Sequence, residues 1–298
     1  MHSQGTMGPE TEEGVVVGHV WDGSDVAQEL LENVRQQVVR LQHEGRPTPT
    51  LAEIRVGEWP SDERRWALQA EACRVTGVAY QVHAFPQLCD SQTILQSLAE
   101  LNADPAITGI AIHTHPSARG SEFAAALATE KDVDGLHPLH LGRFLTNKRA
   151  GRQPRGADIV QLLKRAGLTF VGRHVICIGN ASGLAAILAW LCLHENATVS
   201  AWRGTGVWPI NMLHQGDVLI IDTDDLPAVD GVVLKPGVVV VDACRRPDGW
   251  LPHQPEGLPQ SVSLLIPVPG GVGPTTPAMR LAALVAMYRA PAIVSLDS

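Results

Sequence analysis

His174-Val175-Ile176-Cys177-Ile178-Gly179-Asn180-Ala181-Ser182-Gly183-Leu184-Ala185-Ala186-Ile187-Leu188 is the stretch whose reading decides the fold. Residues His174 to Ile178 are a short apolar, β-branched run and read as a buried strand. Two glycines punctuate the middle, and from Gly183 to His194 the apolar run continues long enough for a buried helix. A strand that turns through glycines into a helix resembles a dinucleotide-binding unit. A tight strand-to-helix turn with no ligand explains it equally well while the turn stands alone.

The flanking sequence has the same rhythm. Downstream, Thr198 to Trp202, Asp217 to Ile221 and Val238 to Val241 read as strands, and upstream Ala157 to Ala166 reads as a helix. Before these lies a polar break, Asn147 to Arg155. Ahead of the break, strands at Val15–His19, Thr50–Val56, Val78–Phe85 and Ile107–His113 alternate with helices at Asp25–His43, Asp62–Thr76, Ser91–Asn102 and Ser121–Thr129. Val26, Leu30, Leu31, Val34, Val38 and Leu41 form one stripe on the first of these helices. Such alternation predicts an α/β fold with a largely parallel sheet in each of two domains. The N-terminal α/β domain is expected over 15–150, a Rossmann-like domain over 151–274, and a C-terminal helix, Pro274 to Arg289, returning to the first domain within 275–298. Residues 1–14 are polar and acidic and are expected to be a disordered leader.

Composition narrows the function classes. The chain has 298 residues, 45% of them hydrophobic, enough for two real cores. Its formal charge of −8 carries no general footprint for nucleic acid or an anionic membrane. No apolar run approaches the roughly 20 residues of a membrane helix, and the N-terminus has the features of neither a signal nor a transit peptide. A cytoplasmic protein is expected. Five cysteines, at 73, 89, 177, 192 and 244, form no CxxC spacing, and Cys73, Cys177 and Cys192 sit in apolar patterns as core thiols. Among twelve histidines there is no HExxH pair, so no metal site is expected.

Three further segments carry a resemblance. They are Lys131-Asp132-Val133-Asp134-Gly135-Leu136-His137-Pro138 with Gly142-Arg143 behind it; Pro267-Val268-Pro269-Gly270-Gly271-Val272-Gly273-Pro274; and Val56-Gly57 followed by a helix with Ala72-Cys73 and closed by Gly77. With Trp21-Asp22-Gly23 near the start, these resemble the signatures of the bifunctional methylenetetrahydrofolate dehydrogenase/cyclohydrolase family, over nearly the whole chain. The resemblance implies a homodimer with folate in a cleft of the N-terminal domain facing the nicotinamide of NADP. It implies oxidation of 5,10-methylenetetrahydrofolate to the methenyl form and hydrolysis to 10-formyltetrahydrofolate.

Several positions depart from that pattern. In the family the helix after Val-Gly carries a Tyr and, four residues on, a catalytic Lys, a spacing that puts both on one helical face. Aligned without gaps, those positions are Arg65 and Gln69, and no shift of register recovers the lysine because the first in the chain is Lys131. Glutamine can hydrogen-bond a pterin or N10 but has no titratable proton, so the usual cyclohydrolase step is expected to be severely weakened. Arg65 places a permanent charge where the family has a phenol. In the segment Ile112-His113-Thr114-His115-Pro116, His113 takes the place of the glutamine that partners the lysine. It can act as acid or base near neutrality or simply hydrogen-bond the ligand; His115 is expected to point elsewhere. Asp134 matches the carboxylate that holds the pterin through two parallel hydrogen bonds, where the alternative is a structural aspartate in a turn. Val268, Pro269, Gly270 and Gly271 match the loop that lines the folate cleft.

On the dinucleotide side, Gly179-Asn180-Ala181-Ser182-Gly183-Leu184-Ala185 matches the family's Gly-Arg-Ser-x-x-Val-Gly loop. The arginine that grips the NADP 2′-phosphate is Asn180, and the last glycine is Ala185. Arg203-Gly204 replaces a His-Ser pair, and Arg203 can in principle serve that phosphate. Asp222-Thr223-Asp224-Asp225 stands where the family has a small turn close to the cofactor, and carboxylates there repel a pyrophosphate. The chain is therefore expected to be a tetrahydrofolate-dependent enzyme that takes the 5,10-methylene or 5,10-methenyl form. NADP is expected to be unused, and the one-carbon unit to pass to an unidentified small-molecule acceptor in a specialised biosynthetic pathway. His113 is the expected acid, with Gln69 and Asp134 orienting the pterin. The alternatives are an NAD(P)-dependent methylenetetrahydrofolate dehydrogenase with weak cyclohydrolase activity and a non-catalytic folate-binding paralogue.

Overall fold

The computed structural model describes residues 18–57, 63–114, 120–146, 156–179, 184–203, 210–223, 232–243, 251, 259–267 and 270–289, with only the backbone described at 158 and 203. In chain order the elements are β1 (His19–Val20), α1 (Ser24–His43), β2 (Thr50–Val56), α2 (Glu63–Thr76), β3 (Ala79–Phe85), α3 (Ser91–Ala103), β4 (Gly109–Thr114), α4 (Gly120–Ala126) and α5 (Pro138–Leu145). There follow α6 (Ala157–Arg165), β5 (His174–Gly179), α7 (Leu184–His194), β6 (Thr198–Arg203), β7 (Val218–Asp222), β8 (Val238–Asp242), β9 (Val262–Ile266) and α8 (Val272–Arg289). The chain divides into two compact units, one of residues 25–155 and 276–298, the other of residues 1–24 and 156–275.

In the first unit, β2, β3 and β4 form a parallel sheet in the order β3-β2-β4. The two-residue period of a strand sends Ala52 and Ile54 to one face and Leu51, Glu53 and Arg55 to the other. Ala52 and Ile54 bury against Ile94, Leu98 and Phe123 from α3 and α4. Leu51 buries against Val34 and Val38 of α1, Cys73 of α2, and Leu281, Leu284 and Val285 of α8. Helices thus cover both faces, as a parallel sheet requires, and the C-terminal helix does return to this unit. The register sets Arg55 beside His113 and Glu53 beside Ala111.

The second unit holds a six-stranded parallel sheet in the order β1-β9-β8-β7-β5-β6. Its core is Ile176, Ile178, Leu219, Ile221, Val238, Val240, Val262 and Leu265. The chain leaves β5 to β6 on one side and reaches β7 on the other, so the strand order reverses between β5 and β7. Ligands of such sheets bind at this switch point, beyond the carboxyl ends of the strands. A Cβ on Gly179 would lie 2.2 Å from the Ala185 Cβ. Only glycine lets α7 cross β5 this closely, which is the packing role of a glycine in a strand–turn–helix unit.

Three features differ from the sequence expectation. The N-terminal strand is His19–Val20, with residues 15–17 outside the described ones, and it pairs with β9 rather than with the three-stranded sheet. Close packing holds it there: Trp21 N–H donates to Leu265 O (2.8 Å) and Gly23 N–H to Gly270 O (3.0 Å), and a Cβ on Gly23 would lie 2.0 Å from Gly271 O. β9 itself was not read from the sequence, because a five-residue apolar run gives no period of its own. Nor was α5, a short helix interrupted by Gly142 and started by Pro138, with His137 Nδ1 accepting the Leu139 N–H at 3.0 Å. No described helix is long and apolar enough to cross a membrane.

Candidate active site

The polar centre of the first unit is organised by a residue that sequence reading passed over. Arg280 is the only charge in the apolar run from Val272 to Tyr288 of α8, and it is 5% exposed. A buried guanidinium must be paired and hydrogen-bonded. Here Nε donates to Asp134 Oδ1 (2.8 Å) and Nη2 to Asp134 Oδ2 (3.0 Å), a two-pronged ion pair. Nη1 donates to Gln69 Oε1 on α2 at 2.7 Å. Burial works against the charge on Arg280, but the adjacent Asp134 carboxylate, with Glu53 and Tyr80 nearby, more than offsets it and holds the guanidinium well above its ordinary pKa.

Gln69 is therefore a fixed part of the interior. It is 1% exposed, its carbonyl is taken by Arg280, and its amide lies 3.5 Å from Cys73 Sγ one turn further on. Burial pushes the Cys73 thiol up to about 11, so it is an inert core thiol near neutral pH. Asp134 is 7% exposed and lies within a turn that Asp132 braces by accepting the His137 N–H at 2.8 Å. The Arg280 fork uses two of the roughly four lone-pair positions of the Asp134 carboxylate.

A second polar group crosses the same face of the sheet. Glu53, fully buried in the middle of β2, accepts the Tyr80 hydroxyl of β3 on Oε2 and Arg55 Nε on Oε1 at 3.3 Å. His113 Nε2 on β4 lies 3.2 Å from the same Oε1. Arg55 Nη2 donates to the Tyr80 hydroxyl at 2.7 Å, and its guanidinium lies 4.4 Å from the centre of the Trp66 ring on α2. Burial first, and then the Glu53 carboxylate, push the Tyr80 phenol far above its ordinary pKa, so it remains a donor.

Of the residues singled out in the sequence, Gln69 and Asp134 are joined through Arg280, and His113 meets Glu53. Arg65 stands one turn before Gln69 on α2 and is partly exposed. Gly270, at φ +110°, and the buried Gly271 belong to the other unit, where they receive Gly23; Val268, Pro269 and His115 lie outside the described residues. Glu53, Arg55, Tyr80 and Arg280 were missed. For the three charged ones the signal was present: charges inside otherwise apolar runs, Thr50–Val56 and Val272–Tyr288, imply buried partners.

At the switch point of the six-stranded sheet, Gly179 ends β5 and is paired in register with Asp222, which ends β7. Asp242 ends β8, fully buried, with Oδ2 accepting the Leu251 N–H at 3.2 Å. Two carboxylates thus stand at the carboxyl ends of neighbouring strands beside the glycine turn. Asn180, Asp224 and the side chain of Arg203 lie outside the described residues. Among the described residues, no group of three His, Cys, Asp or Glu could hold a metal ion, and Cys73, Cys177 and Cys192 stand outside any disulfide.

Comparison with known proteins accounts for both units. Residues 21–134 match the family described as tetrahydrofolate dehydrogenase/cyclohydrolase, catalytic domain, and residues 154–291 match the NAD(P)-binding domain of the same family. The chain is 31% identical to the bifunctional protein FolD 2 of Myxococcus xanthus over 269 residues, 87% of this chain and 91% of that protein. It is 28% identical to the bifunctional protein FolD of Geobacillus kaustophilus over 272 residues, covering 89% and 95% of the two chains. The crystal structure of the bifunctional FolD methylenetetrahydrofolate dehydrogenase/cyclohydrolase of Campylobacter jejuni superposes with a TM-score of 0.78 at 25% identity, covering 92% of this chain and 99% of that one. The chain belongs to the methylenetetrahydrofolate dehydrogenase/cyclohydrolase family of enzymes, with both the catalytic and the NAD(P)-binding domain of that family.

Proposed function

We propose that this chain is a tetrahydrofolate-dependent one-carbon enzyme that has given up the NADP-dependent dehydrogenase and cyclohydrolase reactions. It binds 5,10-methylene- or 5,10-methenyltetrahydrofolate and passes the one-carbon unit to another small-molecule acceptor. The observation that carries this reading is Gln69. At the position where the family resemblance places a lysine stands a side chain without a titratable proton, held by a buried arginine that is itself never deprotonated.

The acid in this reading is His113, on the same face of the sheet as Glu53 and Tyr80. Opening the N5–C–N10 bridge of methylenetetrahydrofolate needs a proton on N10; the C–N10 bond then breaks, its electron pair stays on N10, and an N5 iminium forms. His113 supplies that proton. Asp134 holds the pterin through the acceptor positions that Arg280 leaves, and Arg280 fixes the carboxylate in place. Asp222 supports the reading that no dinucleotide is used: paired in register with Gly179, it puts a carboxylate at the carboxyl ends of the strands beside the glycine turn, where it would repel a pyrophosphate. The second reading, a dehydrogenase with weak cyclohydrolase activity, is favoured by the close β5–α7 crossing at Gly179 and by the NAD(P)-binding domain match.

Incubation of the protein with 5,10-methylenetetrahydrofolate and NADP, and again with NAD, is expected to yield no methenyl product after an acid quench, with folate binding confirmed by calorimetry in the same preparation. Methenyl product above background restores the dehydrogenase reading. Folate binding with no turnover of any acceptor leaves a non-catalytic binder. Asp134→Asn is expected to weaken folate binding at least tenfold, the order of one charge-assisted hydrogen bond at about 1.5–3 kcal/mol. Unchanged affinity removes the pterin assignment.

A further inference from the structure

Arg280 meets Asp134 side-on: Nε donates to Oδ1 at 2.8 Å and Nη2 to Oδ2 at 3.0 Å, in parallel. Each carboxylate oxygen has two acceptor positions near its plane, one converging on its neighbour's and one pointing outward. A two-pronged fork fills both converging positions. The outward positions diverge, so two parallel N–H groups on one ring cannot reach both. The edge of a pterin is itself guanidine-like, with N3–H beside the 2-amino group. To grip a carboxylate with both, it needs the same converging pair that Arg280 already holds.

Neither partner is placed to give way. Arg280 is 5% exposed, its helix is locked into the core by the fully buried Leu281 and Leu284, and its Nη1 donates to Gln69 Oε1 at 2.7 Å. Asp134 is followed by Gly135 at φ +65°, in the turn that Asp132 braces through the His137 N–H. Pulling the guanidinium off its carboxylate would leave two uncompensated charges in the interior. Among the described residues no other donor reaches Asp134, so its outward positions are left for a ligand. We propose that Arg280 sets how this site reads a folate: the fork stays closed when the ligand binds, and Asp134 accepts a single hydrogen bond, from the 2-amino group, on an outward position. N3–H makes no bond to Asp134. Arg280 is thus a positioning residue that acts through Asp134 and turns two-pronged recognition of the ring into one-pronged recognition. This deepens the reading of Asp134 as the pterin contact and rests on it.

The test uses the full chain labelled with 15N-arginine. The Arg280 Nε–H is expected as a slowly exchanging signal, assigned by its shift in Asp134→Asn, that persists at saturating tetrahydrofolate. Tetrahydrofolate and its 3-methyl derivative, which lacks N3–H, are then titrated by calorimetry. Their affinities are expected within about threefold of each other, short of the roughly tenfold or more that one hydrogen bond to a charged group supplies. In Arg280→Met the converging positions are open, and the 3-methyl derivative is expected to bind about tenfold or more weakly than tetrahydrofolate. Both ligands meet the same preparation, so partial unfolding leaves that ratio unchanged, and a merely structural role for Arg280 would not move it. Loss of the Nε–H signal on adding tetrahydrofolate overturns the proposal. So does a preference of about tenfold or more for tetrahydrofolate in the unmutated protein, or a ratio that Arg280→Met leaves in place. Should Arg280→Met not fold, the two measurements on the unmutated protein still decide. Absence of any folate binding defeats the proposed function and this inference with it, whereas binding with the fork released overturns this inference alone.

Discussion

Arg280→Met is expected to lower the free energy of unfolding by about 3–5 kcal/mol, the cost of leaving a buried ion without its partner. Methionine fills most of the volume, so little of the loss comes from a cavity. What is lost is the fork on Asp134 and the donor to Gln69 Oε1, which leaves a 7% exposed carboxylate and a 1% exposed amide without their main partner. Urea denaturation followed by circular dichroism measures it, as a fall in midpoint with little change in slope. Removing both partners costs less than breaking the pair, so Arg280→Met combined with Asp134→Asn is expected to recover part of the loss. A loss below about 1 kcal/mol in the single variant would place Arg280 among exposed ion pairs and contradict the buried network.

Gln69→Lys is expected to be damaging rather than restorative. The glutamine carbonyl accepts from Arg280 at 2.7 Å; an ammonium at the end of a side chain from the same position meets that guanidinium as a like charge in a buried site. Either the lysine loses its proton or the helix shifts, and in both cases stability falls, by about 3–5 kcal/mol on the same scale as a broken buried pair. Adding Arg280→Leu removes the repulsion. The double variant is expected to be more stable than the two single losses add up to, with a coupling of roughly 0.5–3 kcal/mol. Neither variant is expected to oxidise methylenetetrahydrofolate with NADP, because Asp222 is untouched. Methenyl product from Gln69→Lys alone would overturn the reading of the cofactor side.

Much of the architecture was legible in the sequence because it rests on local periodicity. The stripe Val34, Val38 and Leu41 of α1, the strand Thr50–Val56 and the strand–Gly179–helix order are each local in the chain, and each forms where the sequence predicts. β9 and α5 were illegible for the opposite reason: one is too short for a period and the other is broken by Gly142. The pairing of β1 with β9 followed from neither, since it is set by the close approach of Gly23 to Gly270 and Gly271.

By itself the sequence determined the two α/β units, the returning C-terminal helix, the absence of a lysine before Lys131 and the family signatures, and it singled out Gln69, His113 and Asp134. Only the tertiary structure decided what those residues touch. Arg280 is separated by 146 residues from Asp134 and by 211 from Gln69, and Glu53 by 27 from Tyr80. A lone charge in an apolar run announces that a partner exists, because an unpaired ion is too costly to bury. It does not name the partner, because that choice is made by which helix face and which strand register the folded core brings within 3 Å or so of it.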